Sequence, residues 1–251
     1  MLKLSIRNYN GTTTSILPSP YFTVTSVSGL TPPKANINTT SAAFMDGSLF
    51  NSAAAKDRNI VINFVVESPA EANRLKLYAA APIKQPCTVN IQTGSRNVSI
   101  LGYVETVEVN PFAQKETAQI SIICPNPWFV GAAQTKNISS NSDSFENLGD
   151  IASGAEFTLT VGAAMNSLTL EDASYAFFEV DYAFQLNDIV TINTGRGLKS
   201  VILNRGTSYV NLINYVAAGS TWLQIGGGLN RIDTSADVTG TVEFSPLFSG
   251  V

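Results

Sequence analysis

Read for alternation of apolar and polar positions, the chain is a succession of short strands interrupted by one helical stretch. In "IVINFVVE", Ile60, Ile62, Phe64 and Val66 share one face of a strand. "SPAEANRLKLYAAAP" follows at once. There Ser68 and Glu71 have the spacing of a capping box, Pro69 suits a first helical position, and Pro82 ends the segment. The spacing predicts one helix over about 69–80, with Ala72, Leu75, Tyr78 and Ala79 as its apolar stripe. In "CTVNIQTGSRNVSILGYV", Cys87, Val89 and Ile91 alternate with polar residues, Gly94-Ser95 marks a hairpin turn, and Val98 and Ile100 resume the alternation. "YVETVEVN" and "ETAQISIIC" predict a second hairpin joined at "PFAQK". Between the early strands and Ile60 lies a Ser/Thr/Ala/Asn-rich excursion, 31–58, too long for an ordinary loop. Its isolated apolar residues Phe44, Met45, Leu49 and Phe50 favour an arm that packs on something.

The strand "QISIIC" breaks on Pro125 and Pro127, which cannot donate to a ladder. Trp128 and Phe129 follow, apolar where a free linker would be polar. Beyond Phe129 the helical signal fades. "EFTLTV", "DIVTINT", "KSVILN" and "GTVEFSPLF" are separated by turn signals, the pattern of an antiparallel β-sandwich. The prediction is a mainly β chain of two domains. Residues 1–129 form an α+β, barrel-like N-terminal domain with an arm at about 31–58, and 130–251 form a C-terminal sandwich. Pro125, Pro127, Trp128 and Phe129 are expected to pin the junction.

Composition sharpens this picture at two points. Only 14% of residues are charged, against about 25% in typical soluble domains. A surface so short of charge suits a chain whose purpose is association. The net charge of −4 is also uneven: 1–130 carry ten Lys/Arg against seven Asp/Glu, whereas 131–251 carry five against twelve. Neither half is basic enough to bind nucleic acid tightly, which needs clustered cations. No apolar run approaches the roughly 18 residues of a membrane span, and "MLKLSIRNYN" lacks the apolar core of a signal peptide.

Candidate chemistry is sparse. The absence of histidine removes His-based triads and His metal sites. Cys87 and Cys124 read as reduced, buried thiols, and no metal or cofactor is expected. The carboxylate pairs Glu179/Asp181 and Glu105/Glu108 read as solvated strand faces rather than a glycosidase pair. "TGRGLKS" lies between strands rather than before a helix, so it predicts a turn and not a phosphate cradle. "IGGGLNR" is likewise a turn. Trp222 and Tyr209 are candidate glycan-stacking residues, with a core tryptophan as the other reading of Trp222. No enzyme activity is expected.

Several motifs in order carry a resemblance: "SGLTPPKANIN", "MDGSLFNS", "RNIVINF", "KLYAAAPIKQPCTVNI", "GYVETVEV", "KETAQISIICPNPWF", "TINTGRGLKSVILN" and "WLQIGGGLN". Together they resemble the distal tail protein family of siphophages and related prophages, over nearly the whole chain and most densely from Ser28 to Phe129. The resemblance implies a structural virion protein of the distal tail, assembled in the bacterial cytoplasm. Its N-terminal domain would form a hexameric ring whose channel lets DNA through without sequence-specific binding. The arm would embrace the next subunit, with Phe44, Met45, Asp46, Gly47, Leu49, Phe50, Asn51 and Arg58 as interface candidates. A galectin-like C-terminal domain would serve the periphery. The implied partners are the tail tube protein, a tail-tip or tail-associated protein, and receptor-binding or other baseplate proteins, with no membrane contact. The alternative is a carbohydrate-binding module acting in host attachment through the C-terminal sandwich.

Overall fold

The computed structural model describes residues 2–41, 43, 46–140, 142 and 144–251. The chain divides into two units, Met1–Val130 with Phe248–Val251, and Gly131–Leu247. The last four residues, expected in the C-terminal domain, therefore return to the first unit. They are held there by backbone contacts, among them Val251 N donating to Leu30 O at 3.1 Å.

In the first unit β1 (Lys3–Asn8), β2 (Thr13–Leu17), β3 (Phe22–Ser28), β4 (Ala35–Thr40), β5 (Leu49–Ala55) and β6 (Arg58–Val66) precede helix α1 (Ala70–Ala80). After it come β7 (Pro86–Gln92), β8 (Asn97–Asn110) and β9 (Thr117–Cys124). The main sheet runs β2-β1-β7-β8-β9-β6-β3. The two ends of this path, β2 and β3, approach one another, so the sheet curls toward a barrel around its core. Ile60, Ile62, Phe64 and Val66 of β6 face that core with Val89, Ile91, Ile100, Ile120 and Ile122. The runs read as separate strands around Ile100 and Val107 are one strand, β8. A bulge at Glu105 shifts its register on β9 from Val104↔Ile122 to Thr106↔Ser121, which re-aims the strand without ending it.

Cys87 and Cys124 are fully buried free thiols. Burial pushes Cys87 up to about 11 and Cys124 up to about 12, so neither is a thiolate at neutral pH. Gly102, Cα partner of Cys87, leaves room for these sulfurs: a Cβ there would lie 2.8 Å from Cys124 Sγ and 2.5 Å from Ile122 Cγ2.

Helix α1 forms where its sequence predicts, but two details differ. The capping box is not made, because Pro69 occupies the N-cap and no side chain bonds the first turn. Instead Asn73 Nδ2 donates to Glu67 O at 2.9 Å, tying the helix start to the preceding strand. The buried face is Asn73, Leu77 and Ala80, at i, i+4 and i+7. The predicted stripe of Ala72, Leu75, Tyr78 and Ala79 points to solvent.

Strand β10 (Phe129–Gly131) still pairs with β8 of the first sheet. In the second unit the chain then passes through β11 (Gln134–Ser139), β12 (Phe145–Asn147), β13 (Ala155–Val161), β14 (Met165–Asp172) and β15 (Phe177–Phe184). It continues with β16 (Ile189–Asn193), β17 (Ser200–Arg205), β18 (Ser208–Asn211), β19 (Gly228–Asn230), β20 (Ile232–Thr234) and β21 (Val238–Phe244), before β22 (Leu247–Phe248) pairs with β10. The large sheet runs β15-β14-β20-β11-β21-β13-β16-β17-β18. Alternation is strict in β13, where Phe157, Leu159 and Val161 are buried and Glu156, Thr158 and Thr160 are exposed. "TGRGLKS" and "IGGGLNR" are turns, with Gly197 at φ +77° and Gly228 at φ +86°.

One ion pair stiffens this unit. Asp188, 1% exposed, accepts from Arg205 Nε at 2.8 Å and from Gln185 N at 2.8 Å. The Arg205 hydrogen bond holds its carboxyl below the usual carboxylate range. A folded pKa below the unfolded value of about 3.9 means stabilisation that is full above that pH and is lost as pH falls through the folded pKa. Asp188→Asn is therefore expected to lose less stability than wild type between pH 7 and pH 3. Urea unfolding followed by Trp222 fluorescence checks this, and equal losses in both proteins would contradict it.

Candidate assembly surfaces

The arm leaves the first unit at Gly29, where the backbone turns with φ +82°. A Cβ at that position would sit 2.1 Å from Asn59 O, so only glycine permits this approach. The arm closes at its base through Lys56 N donating to Lys34 O at 2.9 Å. Between these points β4 and β5 form a two-stranded sheet of their own. Every residue of both strands is exposed.

Register gives the hairpin two different faces. Ala35↔Ala55, Ile37↔Ala53 and Thr39↔Phe50 are cross-strand partners, with a bulge between Asn38 and Thr39 that absorbs Asn51. Partners share a face, so Ala35, Ile37, Thr39, Phe50, Ala53 and Ala55 make one apolar surface. The opposite face is zipped by polar side chains: Asn38 Nδ2 donates to Ser52 Oγ at 3.0 Å and Asn51 Nδ2 to Thr40 Oγ1 at 2.5 Å. Phe50 is 66% exposed and Ile37 61% exposed. Leu49, also exposed, pairs with Thr40 on the zipped face. Asp46 and Gly47 lie exposed in the connection, with Gly47 at φ +88°. Phe44 and Met45 lie outside the described residues.

Arg58 does not belong to this exposed surface. Grouped with the arm on sequence, it is only 3% exposed and sits at the arm's root. Its guanidinium donates to the carbonyls of Gly29 at 2.5 Å, Thr31 at 2.6 Å, Pro127 at 2.7 Å and Ser249 at 2.6 Å. It also lies 4.3 Å from the Phe129 ring centre, a cation–π distance. Burial holds its pKa below the ordinary arginine range. One side chain thus ties the start of the arm, the double-proline segment and the C-terminal return. Phe129 is fully buried, Pro127 is buried, Trp128 is half-buried and Pro125 is exposed. Sequence reasoning missed Arg96, which donates to Gly250 O and lies 4.6 Å from the Phe248 ring centre. Its place in "GSRN", a turn between strands, gave no sign of a partner so far along the chain.

The candidate glycan platforms fare differently. Trp222 packs against Phe178 with ring centres 4.7 Å apart, and Lys199 Nζ lies 5.2 Å from its ring. It is half-buried and packs against the core of the second unit. Tyr209 is exposed on β18, an end strand of the sheet. Of the carboxylates, Glu105 is used structurally, with its Oε2 2.7 Å from the buried Ser121 hydroxyl. Among the described residues no three His, Cys, Asp or Glu side chains come together as a metal site.

Residues 148–248 match the model of the family described as siphovirus-type tail component, C-terminal domain. No curated protein matches the chain in sequence. Among solved structures the chain is similar to the crystal structure of the Dit protein of phage SPP1, described as a paradigm of the hub adsorption apparatus in phages infecting Gram-positive bacteria. The TM-score is 0.73 at 14% identity, covering 99% of both chains. It is also similar to a chain of the phage P2 baseplate in its activated, Ca-containing conformation, with a TM-score of 0.50, 11% identity and 98% of both chains covered. At such identities the structural likeness is one of fold, and it extends over both units. The match to the siphovirus-type tail component family over residues 148–248 agrees with the resemblance to distal tail proteins carried by the sequence motifs.

Proposed function

We propose that this protein is a structural hub of a phage tail. Six copies form a ring through the first unit, and the ring joins the tail tube to tail-tip and host-adhesion components in the virion. Its action is geometric rather than catalytic. The ring fixes the symmetry, the arm locks neighbours together, and the second unit offers docking surfaces for other baseplate proteins. DNA passes through the channel without being gripped.

The observation that carries this reading is the arm: a hairpin with one apolar face, left uncovered by its own chain, on a root made rigid by Arg58. An exposed two-stranded hairpin is marginal in isolation, so its apolar face is best accounted for by a surface on another chain. The low charge of the sequence and the fold shared over 99% of SPP1 Dit support the same assignment. Mass measurement of the purified full chain tests it. The expected particle is about 160 kDa, six times the 26.7 kDa chain. A stable monomer at concentrations of tens of micromolar would overturn the ring.

A further inference from the structure

The arm has an apolar face without a cover, and the first unit has a second such surface elsewhere. On α1, Leu75 is 60% exposed and Tyr78 43% exposed, and Ala72 and Ala79 are exposed on the same side. Ile83, just beyond the helix, is exposed as well. Ala79 also lines a groove with Tyr9, Tyr21 and Pro82, whose remaining lining is largely polar. Within the chain these two surfaces do not cover each other, since both are exposed.

We infer that the outer face of α1 is the seat on which the apolar face of a second copy's arm packs. The inference rests on the ring reading above and names the surface that the arm grips. Three properties of the two surfaces favour this occupant. The first is size. Six residue pairs at about 3.4 Å per residue make a hairpin about 20 Å long, and the 11 residues of α1 at about 1.5 Å each span about 16 Å. The second is chemistry. Ala35, Ile37, Thr39, Phe50, Ala53 and Ala55 include no charged residue, and on α1 the apolar Ala72, Leu75, Tyr78 and Ala79 share the exposed side with Glu71 and Lys76. Interface cores are depleted of charge and enriched in aromatic residues, with charge kept to the rim. The third is count. Each chain has one arm and one α1, so a head-to-tail contact uses both once per subunit and leaves neither open when the ring closes.

Crosslinking tests the seat separately from the ring. Ala53→Cys places a thiol on the arm's apolar face and Ala72→Cys places one on the helix stripe, and both leave the large apolar side chains in place. The native thiols are buried, so a short bismaleimide reports on the introduced ones. Mixing the two single variants during assembly is expected to give a covalent dimer that neither variant gives alone. In parallel, Leu75→Glu with Tyr78→Glu is expected to weaken assembly by tenfold or more with an unchanged unfolding midpoint, because both side chains are exposed. If rings form but Ala53→Cys does not link to Ala72→Cys, the seat is wrong and the ring stands. If no rings form, both fall.

Discussion

Replacing Arg58 by methionine is expected to destabilise the first unit by about 3–5 kcal/mol. Two effects oppose each other at this site. Burying a guanidinium costs desolvation energy, and burial lowers its pKa accordingly. Were the guanidinium removed together with its partners, the change would be close to neutral. The partners, however, are main-chain carbonyls of Gly29, Thr31, Pro127 and Ser249, and no substitution removes them. Each buried carbonyl left without a donor costs about 1–3 kcal/mol. Water entering the loosened site recovers part of this, which sets the net figure below the sum. Arg58→Lys is expected to fall between, since lysine keeps the charge but cannot fork to four oxygens. Each unit carries one tryptophan, Trp128 or Trp222, so denaturation followed by fluorescence assigns the loss to a unit. The Trp128 transition is expected to move to lower urea while the Trp222 transition stays. An unchanged Trp128 transition would show that Arg58 does not hold the root.

The second large effect is expected on assembly rather than on stability. Phe50→Asp places a charge at the centre of the arm's apolar face without touching the core, because Phe50 is 66% exposed in the chain. Buried aromatic anchors in interfaces contribute about 2 kcal/mol or more each. In a ring every subunit contact carries the lesion, so the assembled fraction falls steeply while the monomer keeps its unfolding midpoint. Phe50→Leu, which keeps an apolar contact, is expected to retain most assembly. Native mass measurement of the three proteins at equal concentration checks this, and a Phe50→Asp variant that assembles like wild type would remove the arm from the interface.

These expectations depend on how much of the molecule could be read from its residues. Strands with one buried face were legible, because burial imposes a period of two: Ile60 to Val66, Ile120 to Cys124 and Phe157 to Val161 each show it. The arm was recognised as an excursion but not as strands. Both of its faces meet solvent, and the bulge at Asn51 breaks the period midway. The helix was legible in place but not in orientation. Periodicity finds an apolar stripe, and α1 offers two: Leu77 and Ala80 toward the sheet, and Leu75 and Tyr78 away from it. A helix that is apolar on two sides is what a chain needs when one side is covered by its own sheet and the other by a neighbour. Arg58 was misplaced because its environment is assembled from residues 27 to 191 positions away. No local pattern announces such a burial.

Electron microscopy of the purified full chain tests the central claim most directly. The account predicts rings with six-fold symmetry and an open channel, with α1 and the neighbouring arm in contact around the circumference. Isolated monomers, or closed particles without a channel, would contradict it.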